Sequence, residues 1–189
     1  MTVKREQTQS QIRLLFEWLT KRGPGTILLR VVTQIVRIVT GHPVYRYSKI
    51  TPNLYVGGQH RVHGLPSMEA EGITATINLR REFDDLAAGV AMPHHLYLPT
   101  RDNTPLSLEH LRDGVAFIEQ EVANGGKVYI HCGVGVGRAP TLAAAYLVST
   151  GLTPREAWRQ IRDIRPFIWP MPGQYRQVQR FAEEFVKAE

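Results

Sequence analysis

Two short strand-like runs bracket one well-marked helix in the middle of the chain, and that triplet restricts the fold more than any other feature. HLYLPT ends at Thr100 and KVYIHC ends at Cys132. Between them Leu108, Leu111, Val115, Ile118 and Val122 recur at spacings of 3, 4, 3 and 4, which places all five on one face of a helix. Strand, helix, strand in this order predicts a βαβ unit and hence a parallel sheet. NLYVGG (Asn53 to Gly58) and ITATINL (Ile73 to Leu79) read as two further strands, the second alternating Ile73, Ala75, Ile77 and Leu79 with Thr74, Thr76 and Asn78.

The rest of the chain reads as helical. Ala139 to Thr150 is nearly all small or apolar and predicts a buried helix closed by Gly151. Thr153, Pro154 and Glu156 form a capping box with proline at the first helical position, opening a helix that must end near Arg165-Pro166. A last helix carries Tyr175, Val178, Phe181 and Phe185 inward. Before the first strand, SQIRLLFEWLTK (residues 10–21) reads as one helix, stopped by Gly23-Pro24-Gly25. TILLRVVTQIVRIVTG (residues 26–41) reads as another, apolar on most faces but with a polar stripe of Arg30, Gln34 and Arg37. The expected architecture is α/β: a small, mostly parallel sheet of about 4–5 strands flanked by helices, at residues 45–189, behind a helical extension at residues 1–44.

Composition bounds the setting. With 189 residues and 43% apolar content the chain can bury a core of its own. Its single cysteine, Cys132, rules out an internal disulfide framework and a cysteine-based zinc site, and points to a reducing compartment. The opening MTVKREQTQS lacks the apolar character of a secretory signal, and no run reaches the roughly 18 apolar residues of a membrane span. A cytoplasmic location is expected. Lys and Arg outnumber Asp and Glu by 23 to 17, a net +6, which favours anionic partners. With no zinc-finger spacing, aromatic RNA-binding signature or basic block, nucleic acid is not expected. Phosphorylated protein and phosphorylated lipid remain.

The chemistry concentrates in VYIHCGVGVGRAPTL, residues 128–142, where a buried strand passes into a buried helix. Ligands of α/β sheets bind at such carboxyl ends of strands. In the loop Gly133, Val134, Gly135, Val136, Gly137, the three glycines let the backbone turn its N–H groups into a concave nest. The nest and the following helix N-terminus suit a phosphate dianion. Arg138 adds a planar fork that can hold two phosphate oxygens. A thiol in such a place gains thiolate character, so Cys132 is placed to attack the phosphorus and form a phosphocysteine that water then splits.

His131-Cys132-x5-Arg138 resembles the signature of the cysteine-dependent protein tyrosine phosphatases, and the compact domain resembles their dual-specificity group. The likeness runs from Tyr45 to Arg180 and includes SKITPNLYVGG; the catalytic loop is also similar to that of the regenerating-liver phosphatases. The resemblance implies a general acid about 30 residues before the cysteine, and Asp102 in LPTRDNTPLS stands there; Asp84 and Asp85 are in reserve. It implies that His131 orders the loop and sustains the thiolate from behind, and that Gln174 lies near the hydrolytic water, although a solvated helix-start glutamine fits the sequence equally well. Arg101 is read as an exposed charge. Many such phosphatases follow the arginine with Ser or Thr, whose hydroxyl helps the cysteine leave. Here the position is Ala139, as in the regenerating-liver group, so breakdown of the intermediate should be slow.

The expected activity is thus hydrolysis of phosphomonoesters on tyrosine or on serine, threonine and tyrosine of proteins, with neither metal nor cofactor. The loop interior lacks the extra lysines that phosphoinositide phosphatases of this kind often carry. Against that, residues 10–40 suit peripheral contact with an anionic membrane, which keeps open a phospholipid phosphatase of phosphatidylglycerophosphate or phosphoinositide type. A phosphate-binding module without turnover is the further alternative.

Overall fold

The structure is a computed structural model and describes residues 23–186; the helix expected at residues 10–21 lies outside them. The first described helix, α1 (Pro24–Thr40), starts on a proline, takes Gly23 as its N-cap and ends at Gly41 in the left-handed conformation (φ 78°). Strands β1 (Lys49–Thr51) and β2 (Leu54–Gly58) follow, then a short α2 (Leu65–Ala70), β3 (Ala75–Arg80) and β4 (His94–Thr100). The chain continues through α3 (Leu108–Ala123), β5 (Val128–Cys132), α4 (Arg138–Ser149), α5 (Pro154–Ile164) and α6 (Pro172–Val186). The six-residue α2 and the three-residue edge strand β1 are too short to show a period of their own.

The five strands lie in the order β1-β2-β5-β3-β4. β1 runs antiparallel to β2, and every other pairing is parallel, as the βαβ reading requires. Alternation along the strands sends side chains to two faces. Leu54, Val56, Ile77, Val128 and Ile130 join the main core with α3, α4, α5 and α6. Tyr55 and Tyr129 face the other way, into a smaller cluster with Met68, Ile73 and Met92. Thr76 and Asn78 are fully buried too, because β3 is an interior strand, between β5 and β4, and covered on both sides.

The central pairing sets the site. Gly58 sits opposite Cys132, and Asn78 opposite His131, so the carboxyl ends of β2, β3 and β5 finish along one edge. α4 is buried from Arg138 to Val148. The capping box is present, with Thr153 and Glu156 each accepting from the other's backbone N–H.

The outer helix α1 is turned inside out. Its polar stripe faces the domain: Gln34 Nε2 donates to the Val134 carbonyl at 3.2 Å, and Arg37 donates to the Gln59 carbonyl and to Gln34 Oε1. The apolar residues Leu28, Val31, Val32, Ile35, Ile38 and Val39 are exposed at 45–71%. Among the described residues, no helix is long and apolar enough to cross a membrane.

Candidate active site

Cys132 ends β5 and is 3% exposed. The loop after it is held by its carbonyls from outside. Gly133 O accepts from Gln59 N at 3.1 Å, and Val136 O from Trp169 N at 2.7 Å. Val134 O accepts from Gln34, and Gly135 O from Arg165 Nε at 2.7 Å. In a trans peptide the following N–H points opposite to the carbonyl. Four carbonyls tied outward therefore turn the N–H groups of residues 134–137 to the inner side, the arrangement of an anion nest.

Of the three loop glycines, only Gly135 uses the left-handed region, at φ 71°, and a Cβ there would lie 2.3 Å from the Gly57 backbone. At Gly137 the constraint is crowding instead, since a Cβ would lie 3.1 Å from Gln174 Oε1.

Arg138 opens α4 and is 2% exposed. Its fork is bidentate on Glu82 (3.0 and 2.9 Å) and also reaches the Thr100 and Leu79 carbonyls at 2.7 and 3.2 Å. Asp102 Oδ1 lies 3.0 Å from its Nη2. The Nε is buried and has no hydrogen-bond partner among the described residues; an unsatisfied charged donor is costly there, and an oxyanion in the loop would answer it. Burial works against the Arg138 charge, but the hydrogen bonds to Glu82 and the nearby Cys132 and Asp102 hold its pKa above the ordinary value. Burial likewise opposes ionisation of Glu82, yet hydrogen bonds from Arg138 and Arg80 bring its carboxyl down to about 2.

Asp102 is 65% exposed at its side chain and stands in a turn where Asn103 takes φ 60°, a conformation asparagine tolerates. The reserve carboxylates have other partners. Asp84 caps its own turn, accepting from the N–H groups of Leu86 and Ala87. Asp85 is fully buried, with Oδ2 2.6 Å from His131 Nε2 and Oδ1 accepting from Gln59. His131 also stacks on Tyr129 and meets His60 edge-on. The ligating atoms of His60, Asp85 and His131 lie within 4.8 Å of one another, but the direct Asp85–His131 hydrogen bond already joins two of them. Gln174 is 1% exposed rather than solvated. Its Oε1 accepts from Met171 N and its Nε2 donates to the Thr104 carbonyl, which ties the Asp102 loop to the start of α6.

Ala139 is buried, and Thr141 donates its hydroxyl to the Gly137 carbonyl at 2.8 Å. Arg101 is exposed, as its sequence suggested. Sequence reasoning missed Glu82, Arg165 and the Asp85 partner of His131. RREFDD carries the charges, but no local period shows which of them turns inward. Arg165, just after α5, is buried on the Phe167 ring and donates to Gly135, Tyr47 and Val134 carbonyls; nothing local distinguishes it from the arginines of α5.

The sequence model of the dual specificity phosphatase catalytic domain matches residues 54–184, and the chain belongs to that family. Human protein phosphatase Slingshot homolog 3 is 30% identical over 135 residues, covering 71% of this chain and 20% of that protein. Human dual specificity protein phosphatase 5 is 28% identical over 140 residues, covering 73% and 36%. The chain thus spans only a fifth to about a third of these curated relatives. Among solved structures, PTPMT1 in complex with PI(5)P has a TM-score of 0.68 at 25% identity, covering 74% of this chain and 96% of that one. Human DUSP28 gives 0.68 and 25%, covering 75% and 99%.

Proposed function

We propose that this protein hydrolyses phosphomonoesters through a phosphocysteine at Cys132. The loop amides and Arg138, whose Nε is unpartnered, hold the phosphate. The Cys132 thiolate forms an S–P bond as the P–O bond to the leaving group breaks, and Asp102 gives that oxygen its proton. Water then attacks the phosphocysteine, Asp102 takes its proton, and the S–P bond breaks to release inorganic phosphate. His131, fixed by Asp85, and Gln174 are positioning residues. The observation that carries this reading is the buried, unpartnered Arg138 Nε beside Cys132, with Asp102 on the same fork. The domain doing this is residues 45–189, with residues 1–44 as its extension.

The relatives named as protein phosphatases support phosphotyrosine or phosphoserine and phosphothreonine of proteins as substrate. A phospholipid is the second reading, favoured by the outward apolar stripe of α1 and by the PI(5)P in the PTPMT1 structure. The test is hydrolysis of a generic aryl phosphate. Cys132→Ser should abolish it, and Asp102→Asn should lower kcat by about 100- to 10,000-fold. Full activity in Cys132→Ser ends the proposal.

A further inference from the structure

Beside the phosphate loop lies a cavity of about 640 Å³, within the usual range for a small-ligand site. Gly133 and Val134, the two residues after Cys132, form part of its wall, so it adjoins the phosphate site. Arg37, Arg61 and Arg80 also line it. Arg80 shares Glu82 with Arg138, and the Arg37 fork is turned onto Gln34 and the Gln59 carbonyl. Arg61 is exposed, and its guanidinium has no hydrogen bond or ion pair among the described residues. Burial, with the like charges of Arg61 and Arg80, depresses the Arg37 pKa. Three cations and one shared carboxylate leave an excess of positive charge that an anion would relieve.

The rim of this cavity is apolar. Ile38, Val62 and Val134 line it and are 47%, 60% and 37% exposed. Ile38 belongs to the outward stripe of α1, so the stripe runs onto the cavity mouth. An amphipathic helix that spends its polar side on the protein has its apolar side left for another phase. A protein segment covering the stripe as far as Ile38 would also cover the entrance to the cavity. A bilayer holding the substrate would cover the stripe and supply the cavity together.

We propose that the Arg37–Arg61–Arg80 cavity is a second anion subsite, and that its ligand is a membrane phospholipid bearing a second anionic group besides the phosphomonoester delivered to Cys132. The protein lies on the bilayer through the α1 stripe, the scissile phosphate enters the loop, and the second anion meets Arg61. This rests on the phosphatase reading and on its lipid branch.

The test measures kcat/KM of the full chain on an aryl phosphate, a tyrosine phosphopeptide, short-chain soluble PI(5)P, and phosphatidylcholine vesicles carrying PI(5)P or phosphatidate. PI(5)P has a phosphodiester beside its phosphomonoester; phosphatidate has the phosphomonoester alone. The proposal expects PI(5)P vesicles to be the best substrate, ahead of phosphatidate vesicles and of soluble PI(5)P. Relative to aryl phosphate, Arg61→Glu should lower PI(5)P hydrolysis about tenfold through KM. The double variant Val31→Glu/Ile35→Glu should lower the vesicle-to-soluble ratio by a similar factor. Equal rates on vesicular and soluble lipid, no preference for PI(5)P over phosphatidate, or a phosphopeptide preferred to every lipid would overturn it. An enzyme active on aryl phosphate but indifferent to lipid fails here alone. Loss of Cys132-dependent aryl phosphate hydrolysis would remove the phosphatase reading beneath it. Flotation of Cys132→Ser with anionic vesicles reports on docking without turnover, and a chain that stays off them sinks the docking.

Discussion

Arg138 spends its Nη atoms on Glu82, Asp102 and two carbonyls, while its buried Nε has no hydrogen-bond partner among the described residues. Loss of Glu82 would therefore change where the fork points rather than whether it is charged. With its carboxyl lowered to about 2, Glu82 stays ionised throughout any ordinary assay. Glu82→Gln should thus lower the plateau of the kcat/KM profile without moving its acidic limb; a displaced limb would make Glu82 a titrating participant. One residue further on, Ala139 offers no hydroxyl, and Thr141 keeps its own within the helix. Wild type should give a burst of the leaving alcohol or phenol followed by a slower steady state, and Ala139→Ser should raise the steady rate toward the burst. Equal rates in wild type would refute slow breakdown. Ala139 and the Cys-x5-Arg spacing could be read from the chain directly, whereas Glu82 could not.

At the scale of elements, the loop between β5 and α4 keeps its shape because its neighbours bind its carbonyls. The residue after β2 and helix α1 supply Gln59 and Gln34, and the stretch after α5 supplies Arg165 and Trp169. At Gly135, the left-handed φ and the 2.3 Å approach to Gly57 leave no room for a methyl group. Gly135→Ala should collapse kcat while circular dichroism still reports the α/β fold; retained activity would mean that the loop tolerates another path. The sequence offered three alternating glycines for the nest without telling them apart. Only Gly135 takes the left-handed region, and at Gly137 a Cβ would crowd Gln174 Oε1, remote in sequence, at 3.1 Å. α1 is a second case. Its periodicity was legible, but which of its faces would turn inward depended on the partners available: carbonyls at Gln59 and Val134 accept hydrogen bonds, and so the polar face went in.

Across the whole molecule, a buried polar layer behind β5 links folding to pH. His60 is 1% exposed, with Nε2 2.6 Å from the Val90 carbonyl, and its pKa falls to about 4 through burial and the neighbouring His131. Its folded pKa lies below the unfolded value near 6.5, so the stability it contributes is present above about pH 6.5 and is lost as pH falls toward 4. Integrated, that is on the order of 3 kcal/mol as an upper bound. Burial opposes the Asp85 charge, but the His131 hydrogen bond and charge depress its pKa, which acts with the same sign at lower pH. The urea midpoint should hold from pH 8 to 6.5 and then decline, and His60→Gln should flatten the decline. An equally steep decline in the variant would place the titration elsewhere.

By itself the sequence determined the βαβ core, the capped helices and the spacing that sets Cys132 before a glycine loop and Arg138 at a helix start. These are encoded by periods and offsets within a few residues, where backbone geometry alone dictates which side chains meet. Only the tertiary structure decided that Glu82 clamps Arg138, Asp85 orders His131, Arg165 braces Gly135 and α1 shows its apolar side outward. Those partners stand 56, 46 and 30 residues apart, and Gln34 reaches Val134 across 100. No local pattern selects among many like charges at such separations. Sheet order and the desolvation of each buried group make the choice, because a charge taken out of water must find its partner where the fold places one.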